Sequence, residues 1–254
     1  MQPKHAWLFV LFSAAFMTGC DSDPSSEPLE LEFEGGLDLP MPSGVVLRKQ
    51  ETDAEKTQTK ADSFDVRGQY REIYGITEAP NASNVRAVAE FENTDAVLVA
   101  WEYGIGDFLI ELIGHISAHS DVWVVTWNLS DSAAVRQSLT AQGIPMDKVR
   151  FFEFPHESFW TRDYGPVSVV DESNKIYYVD PKYYPQRRRD DAIPTLMSRY
   201  FGIDAVRPNL ATDGGNFMTN GEGICVVTEW LFQENPRLDA RSLQTIQRDY
   251  FGCR

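Results

Sequence analysis

The stretch Phe159-Trp160-Thr161-Arg162-Asp163-Tyr164-Gly165-Pro166 joins two apolar segments in the second half of the chain. The apolar run at residues 149–154 comes before it and predicts a buried strand, which Pro155 ends because proline cannot donate to a strand ladder. The Gly-Pro pair at the end of the stretch predicts a turn before the next apolar run. The sequence therefore predicts a loop that presents a tryptophan, an arginine and an aspartate just past a strand.

This set of side chains suits the binding of a flat cation. The carboxylate of Asp163 can accept two parallel N–H bonds from a guanidinium group, and the ring of Trp160 can stack on its plane. The alternative is that Asp163 pairs only with its neighbour Arg162 and that Trp160 belongs to the core, because structural ion pairs are common. The stretch alone leaves both interpretations open.

A second stretch, Thr212-Asp213-Gly214-Gly215-Asn216-Phe217, lies between two strand-like runs. Two adjacent glycines allow the backbone to adopt positive φ and to approach a ligand closely. Asp213 and Asn216 would then supply polar groups on either side. By itself, this pattern also fits an ordinary hairpin turn.

Taken together, the two motifs resemble the agmatine deiminase and bacterial (Porphyromonas-type) peptidylarginine deiminase family of guanidino-group-modifying enzymes. Residues 89–92 and 95–101 resemble the opening strand of that family, and residues 221–235 resemble the segment after its double glycine. The resemblance covers about residues 85–254. It implies an α/β fold that is a partial pentein propeller of ββαβ modules, truncated at its C-terminus.

The resemblance also assigns roles to individual residues. Asp163 matches a guanidinium-gripping carboxylate and is the candidate catalytic residue. The residues expected to shape the substrate site are Trp160, Arg162, Asp213, Gly214, Gly215 and Asn216. No cofactor and no metal is implied by this chemistry.

The family's reaction needs a nucleophile and a proton shuttle. A Cys thiolate attacks the guanidinium carbon, ammonia leaves, and water releases a citrulline-type product. In relatives the nucleophilic Cys and a His-x-Asp motif lie beyond the point where this chain stops. We therefore expect this chain alone to have little or no turnover, as part of an interrupted deiminase or as a non-catalytic exported lipoprotein that binds arginine-bearing ligands.

The remaining cysteines and histidines offer weaker candidates. Cys225 lies in a strand-like run and Cys253 at a helix end, where inert thiols or a mutual disulfide are expected. A hydrolase built from Cys225 and His156 is a third hypothesis, but a strand-end His156 bonded to backbone is favoured. His115 and His119 have spacing that can hold zinc, yet a solvated helix face fits better.

The N-terminal part predicts export. Lys4, an apolar run and Met17-Thr18-Gly19-Cys20 resemble a lipoprotein signal peptide at residues 1–20, with Cys20 as the lipidated residue. A secretory peptide cleaved nearby is the alternative. Residues 21–84 carry 14 acidic and 6 basic residues and predict a flexible, disordered tether. The protein would be anchored to a bacterial membrane only through this lipid, and an exported enzyme favours peptidyl-arginine over agmatine as substrate.

The net charge of the chain indicates which classes of ligand and partner it can bind. The whole chain has a formal net charge of -15, which argues against nucleic acid and is compatible with cationic ligands. The run Arg187-Arg188-Arg189-Asp190-Asp191 predicts a solvated loop, or less strongly an arginine that binds a substrate carboxylate. A propeller without its later modules would expose sheet edges, which a homo-oligomer or the missing C-terminal half would cover.

Local signals predict where elements lie. The apolar run at residues 95–101 predicts a buried strand, and an apolar stripe over residues 106–119 predicts a helix. Ser130 or Asp131 is expected to cap the helix that runs to about residue 142. Asp190 or Asp191 is expected to cap a later helix, and residues 223–230 are expected to form a strand.

Overall fold

The computed structural model describes residues 75–82 and 84–254, together with the backbone of residues 7–9. Cys20 and most of the predicted tether lie outside the described residues. Within them, Thr77 already bonds to the folded part, because the backbone N–H of Arg207 donates to its hydroxyl at 2.7 Å. No helix in this described part is long and apolar enough to cross a membrane.

In chain order the strands are β1 (Trp7–Phe9), β2 (Arg86–Ala87), β3 (Ala96–Ala100), β4 (Asp121–Thr126), β5 (Val149–Glu153), β6 (Val167–Val170), β7 (Ile176–Val179), β8 (Asp204–Val206), β9 (Met218–Thr219) and β10 (Cys225–Val226). The α-helices are α1 (Gly106–Ser117), α2 (Leu129–Ala141), α3 (Thr161–Tyr164), α4 (Arg188–Phe201), α5 (Trp230–Glu234) and α6 (Ala240–Phe251). Short 3-10 turns occur at Tyr103–Ile105, Met146–Lys148 and Gly214–Asn216.

The first sheet is parallel, with strand order β1-β3-β4-β5. Its central strands are continuous apolar runs because both faces are covered, as parallel sheets with helical crossovers require. One face packs against α1 and α2, and the opposite face packs against Tyr178 and α4. Strand β1 lies within the stretch predicted to be the export signal.

The cap of α2 differs from the prediction. Asn128, rather than Ser130 or Asp131, is the N-cap, and its side chain accepts from the backbone N–H of Asp131 at 3.0 Å. Asparagine is as good a cap as aspartate or serine, and here it comes two residues earlier in the chain. The helix ends before Gly143, whose φ of 74° suits a glycine stop.

The second sheet has strand order β2-β6-β7-β8. Strands β6 and β7 form a hairpin, and α4 carries the chain across to β8, which is parallel to β7. This is one complete ββαβ unit. Its helix ends at Gly202, which has a φ of 66°.

Neither Asp190 nor Asp191 caps α4, contrary to the prediction. Arg187 is the N-cap, without a side-chain cap bond, and both aspartates lie buried in the first turn. Their carboxylates bind groups outside the first turn instead. Asp190 accepts a hydrogen bond from the hydroxyl of Ser158, and Asp191 accepts one from the backbone N–H of Tyr183 and pairs with Arg207. The local cap signal was therefore wrong because tertiary hydrogen bonds use these carboxylates.

The strand predicted at residues 223–230 is reduced to Cys225–Val226, and helix α5 follows directly. After α6, the backbone N–H of Arg254 donates to Gly223 at 2.7 Å, so the chain returns beside β10. Cys225 and Cys253 form the disulfide that the sequence allowed, with their Cα atoms 5.6 Å apart. Hairpin, helix and returning segment thus repeat the order of the first ββαβ unit.

Candidate functional site

The central motif folds as one turn of helix, α3, at the end of β5. The hydroxyl of Thr161 donates to the carbonyl of Leu98 at 3.0 Å, and the hydroxyl of Tyr164 donates to Ser158 at 2.8 Å. Both side chains are buried; the first bond ties α3 to strand β3 of the parallel sheet, and the second ties it to the segment that leads into α3. Asp163 lies between these two anchors and is held by a rigid backbone.

Gly214 brings the two motifs together. A Cβ atom at this position would lie 2.1 Å from the carbonyl oxygen of Arg162 and 3.7 Å from that of Asp163. No side chain fits in that space, so glycine is required by close backbone approach. Positive φ, the other reason expected for the glycine pair, is not used, because the described positive-φ glycines do not include Gly214 or Gly215.

Asp213 and Asn216 fix the loop around this contact. Asp213 caps the 3-10 turn by accepting from the backbone N–H of Asn216 at 2.9 Å. The side-chain oxygen of Asn216 in turn accepts from the backbone N–H of Thr228 at 2.8 Å. Both residues therefore shape the loop, and Asn216 also ties it to the segment that leads into α5.

Arg162 and Trp160 have structural contacts. The guanidinium of Arg162 pairs with Glu90 and donates to the carbonyl of Phe217 at 3.0 Å. Arg162 therefore links α3 to the glycine loop and does not serve only as a partner for Asp163. The ring of Trp160 stacks on Phe159, with centroids 4.8 Å apart, and packs against the core as its alternative interpretation required.

A cavity of about 750 Å³ opens beside the glycine loop. The residues that line it are Lys182, Tyr183, Tyr184, Pro185, Arg188, Asp191, Arg207, Ala211, Thr212, Asp213, Trp230 and Glu234.

Asp213 is one of the residues that line the cavity and is 2% exposed, whereas Asp163 is not one of them and is 8% exposed. Burial is the main cause that raises the pKa of Tyr183, which lines the cavity, and the charge of Asp163 is the next cause. Asp163 is therefore close to the cavity wall, although it is not an open cleft residue in this structure.

The sequence did not predict the ion network beneath the cavity. Arg207 pairs with Asp180 at 2.8 Å and with Asp191 at 2.5 Å, and all three side chains are buried. One arginine faces two carboxylates here, so burial, with repulsion from Asp191 added, raises the pKa of Asp180 to about 7. The partners are separated by many residues, and no local pattern reveals them.

The charge run at residues 187–191 is not a solvated loop. Arg187 is buried and lies 3.7 Å from the carboxylate of Asp190. Arg189 places its guanidinium 4.6 Å from the centroid of the Trp127 ring. Arg188 lines the cavity, which is where an arginine that binds a substrate carboxylate would have to lie.

The sequence's other candidate residues have structural roles. Both ring nitrogens of His156 contact carbonyl oxygens, that of Phe154 at 3.1 Å and that of Trp101 at 2.9 Å, which is the favoured backbone-bonded arrangement. Because Cys225 is bonded to Cys253, the hypothesis of a hydrolase built from Cys225 and His156 is wrong. Among the described residues, no cluster of three or more His, Cys, Asp or Glu could hold a metal ion.

Comparison with known proteins identifies the family that the two motifs resemble. Residues 86–254 match the model of the Porphyromonas-type peptidyl-arginine deiminase family. A putative agmatine deiminase of Selenomonas ruminantium is 22% identical over 198 residues, which cover 68% of this chain and 53% of that protein. A putative agmatine deiminase 1 of Listeria monocytogenes is 27% identical over 135 residues, covering 47% of this chain and 37% of the relative.

Solved structures match at the level of fold. The agmatine deiminase of Enterococcus faecalis aligns with a TM-score of 0.62 at 20% identity, over 71% of this chain and 54% of that one. The putative arginine deiminase from Porphyromonas gingivalis aligns with a TM-score of 0.56 at 17% identity, over 66% and 55%. The chain thus spans about half the length of the first relatives it matches. These matches confirm the family resemblance and the mixed α/β pentein fold.

We expect Gly214→Ala to destabilise the domain by about 1–3 kcal/mol, because the added methyl group forces Arg162 and the loop apart. Gly114→Ala is the control: its Cβ would meet Ile144 at an ordinary 3.5 Å within α1, and helix propensity predicts a gain of about 0.5–1 kcal/mol. Urea unfolding measures both. Equal stability of the two variants would show that the contact at Gly214 is not tight.

A pH-dependent stability follows from Glu157, which lies beside Asp190. The carboxylate of Glu157 accepts from the backbone N–H of Arg189 at 3.0 Å. Burial first, and the charge of Asp190 second, raise the pKa of Glu157 to about 7. The folded state therefore binds this proton more tightly than the unfolded chain does. Its stabilising effect is complete below the unfolded pKa and is lost as pH rises through about 7.

The variant Glu157→Gln carries no ionisable group at this position. Its free energy of unfolding, relative to wild type, should rise by roughly 3 kcal/mol between about pH 4.5 and 8. Denaturant titrations at five pH values measure this difference, with the exposed Glu222→Gln as control. A constant difference between Glu157→Gln and wild type across that range would contradict the assignment.

Proposed function

Because the chain belongs to the Porphyromonas-type peptidyl-arginine deiminase family, we propose that its domain binds a guanidino group between Asp163 and Asp213. The binding would serve a deiminase, or iminohydrolase, that converts peptidyl-arginine or agmatine into a citrulline-type product and ammonia. The observation that carries the proposal is the contact of Gly214 with the carbonyl of Arg162, because it brings the segment of Asp163 next to that of Asp213, which lines the cavity.

Two carboxylates suit this ligand because a guanidinium group offers five or more N–H donors in one plane. Each carboxylate can accept a parallel pair of them. Asp163 and Asp213 are both buried, so the free-energy cost of removing water from their carboxylates is met when the protein folds and not when the ligand binds. Water also screens little of their attraction for a cation. A hydrogen-bonded ion pair of this kind contributes about 1.5–3 kcal/mol to binding.

The family's reaction divides into two steps. A thiolate forms a bond to the guanidinium carbon, and the C–N bond then breaks as protonated nitrogen leaves as ammonia. Water next adds to the same carbon, the C–S bond breaks, and the ureido product departs with the thiolate restored. In both steps the two aspartates would hold the remaining nitrogens and fix the carbon in place.

The described residues supply the carboxylates of this scheme and no thiolate. In residues 75–82 and 84–254 both cysteines are joined to each other, and His156 is held by two carbonyl groups. We therefore propose that this domain binds arginine-bearing ligands with little or no turnover of its own. The same observation favours the second candidate function, a non-catalytic lipoprotein that binds guanidino ligands.

Peptidyl-arginine is the preferred ligand within this class. A cavity of about 750 Å³ has room for more than a single arginine side chain, and export would bring the protein to extracellular polypeptides. Agmatine remains the comparison ligand, because the relatives from Selenomonas and Listeria are named as putative agmatine deiminases.

Calorimetry with acetyl-arginine amide and with agmatine tests the binding. We expect Asp163→Asn and Asp213→Asn each to weaken binding by about tenfold to a hundredfold. Asparagine keeps the capping role at position 213, so the fold should persist. Asp171→Asn, on the exposed β6–β7 turn, is the control and should bind as wild type does. No heat with wild-type protein, or equal heat with all three variants, would refute the proposal.

We also propose that the protein is exported and anchored to the membrane by lipid on Cys20. The support is the signal-like segment before it and the Cys225–Cys253 disulfide, since such bonds persist in oxidising compartments. Cleavage before Cys20 would remove β1 and leave the edge of β3 open. Cells grown with labelled palmitate should label the wild type and not Cys20→Ala. Equal labelling of both would contradict lipidation at Cys20.

A further inference from the structure

Helix α5 forms one wall of the cavity and is fixed at both ends. At its start, Asn216 accepts from the backbone N–H of Thr228, and the hydroxyl of Thr228 accepts from the backbone N–H of Trp230 at 3.3 Å. At its end, the amide of Asn235 exchanges two hydrogen bonds with the backbone of Ala211, at 2.8 Å and 2.7 Å. The glycine motif and the residue just before it, Ala211, therefore set the position of this helix.

Trp230 is the large side chain that α5 leaves uncovered at the cavity. Its neighbour Leu231 is buried in the core, whereas Trp230 is 46% exposed and lines the cavity. Because α5 is fixed at both ends, its backbone cannot move so as to withdraw the indole ring from the cavity. Its uncovered surface is therefore available to a ligand without a change in the backbone.

The groups around Trp230 define the ligand that would fit. Glu234 lies one helical turn further along α5 and also lines the cavity, as does Asp213. Tyr183 and Tyr184 add aromatic surface, with ring centroids 4.6 Å apart. The lining also holds three basic side chains, Lys182, Arg188 and Arg207, of which Arg207 is paired with Asp180 and Asp191. The carboxylates of Asp213 and Glu234 beside aromatic faces suit a planar cation on an apolar stem, because the face of an aromatic ring attracts positive charge.

Trp160, to which the sequence assigned this contact, is placed differently. It stacks on Phe159 and packs against the core between the two sheets. It does not appear among the residues that line the cavity. Trp230 is thus the tryptophan that shares a wall with Asp213.

We propose that the indole face of Trp230 receives the guanidinium-bearing side chain of the ligand and determines the preference for arginine over other cations. This proposal rests on the proposed guanidino-binding function and adds a specificity-determining residue to it. The ligand's planar head lies on the indole, and Asp213 accepts from its edge.

The test uses the full chain and isothermal titration with acetyl-arginine amide, with acetyl-lysine amide as a cation that has no planar head. Trp230→Ala should weaken arginine binding roughly threefold to thirtyfold, and Trp230→Phe should weaken it less. Weak binding of the lysine compound should change little in either variant. The matched control is Phe232→Ala on the same helix, which is 48% exposed and does not appear in the cavity lining.

Fluorescence gives an independent readout. The change in tryptophan emission on binding should persist in Trp160→Phe and disappear in Trp230→Phe. Unfolding midpoints of the two Trp230 variants should stay close to wild type, because Trp230 is half exposed. Undiminished arginine binding by Trp230→Ala, or an equal loss with Phe232→Ala, overturns this inference and leaves the guanidino-binding function intact. Absence of binding by wild-type protein overturns both.

Discussion

The site depends on a steric constraint, the packing of the Gly214 backbone against the carbonyl of Arg162. Side chains adjust to strain by changing rotamer, whereas two backbones in contact can only separate. The short distance between α3 and the glycine loop is therefore possible only because Gly214 has no Cβ atom. Arg162 reinforces the contact by reaching across to Phe217. Because Asp163 and Asp213 adjoin these residues, their relative position follows from the backbone contact.

Among the described residues, buried carboxylates outnumber buried guanidinium groups. The buried carboxylates are those of Asp163, Asp180, Asp190, Asp191 and Asp213, and the buried guanidinium groups paired with them are those of Arg187 and Arg207. Burying more carboxylates than cations lowers the stability of the folded protein. The pKa of Asp190 illustrates this cost, because burial raises it to about 6. A cationic ligand would reduce this imbalance. The same electrostatics that lower stability would thus favour the binding of a guanidinium group.

Short-range patterns in the sequence predicted much of this arrangement. The apolar run Ala96–Ala100 and the stripe of α1 predicted their elements closely, because burial on both sides of a strand and on one side of a helix leaves a clear period. The two motifs indicated the two chain segments that meet at Gly214 in the structure, although the first of them folds as one turn of helix and not as the predicted loop. The resemblance to a deiminase supplied the ββαβ order, which the chain's periodicity alone did not contain.

The failures share one cause, which is contact between residues far apart in the chain. Asp190 has the pattern of a helix cap but bonds to Ser158, which lies 32 residues away. The apolar run at residues 224–227 was predicted to continue as a strand to residue 230, whereas the backbone N–H of Thr228 bonds to Asn216 and the chain turns into α5. That error hid Trp230, because a residue in a strand would have faced a different surface. Trp160 was assigned to the substrate site because it lies three residues before Asp163, on the same motif of the family resemblance.

The most direct measurement is a crystal structure of the protein bound to acetyl-arginine amide. The central claim predicts guanidinium nitrogens within about 3 Å of carboxylate oxygens from both Asp163 and Asp213. A guanidinium group bound elsewhere, or bound to Asp213 without contact to Asp163, would contradict the account.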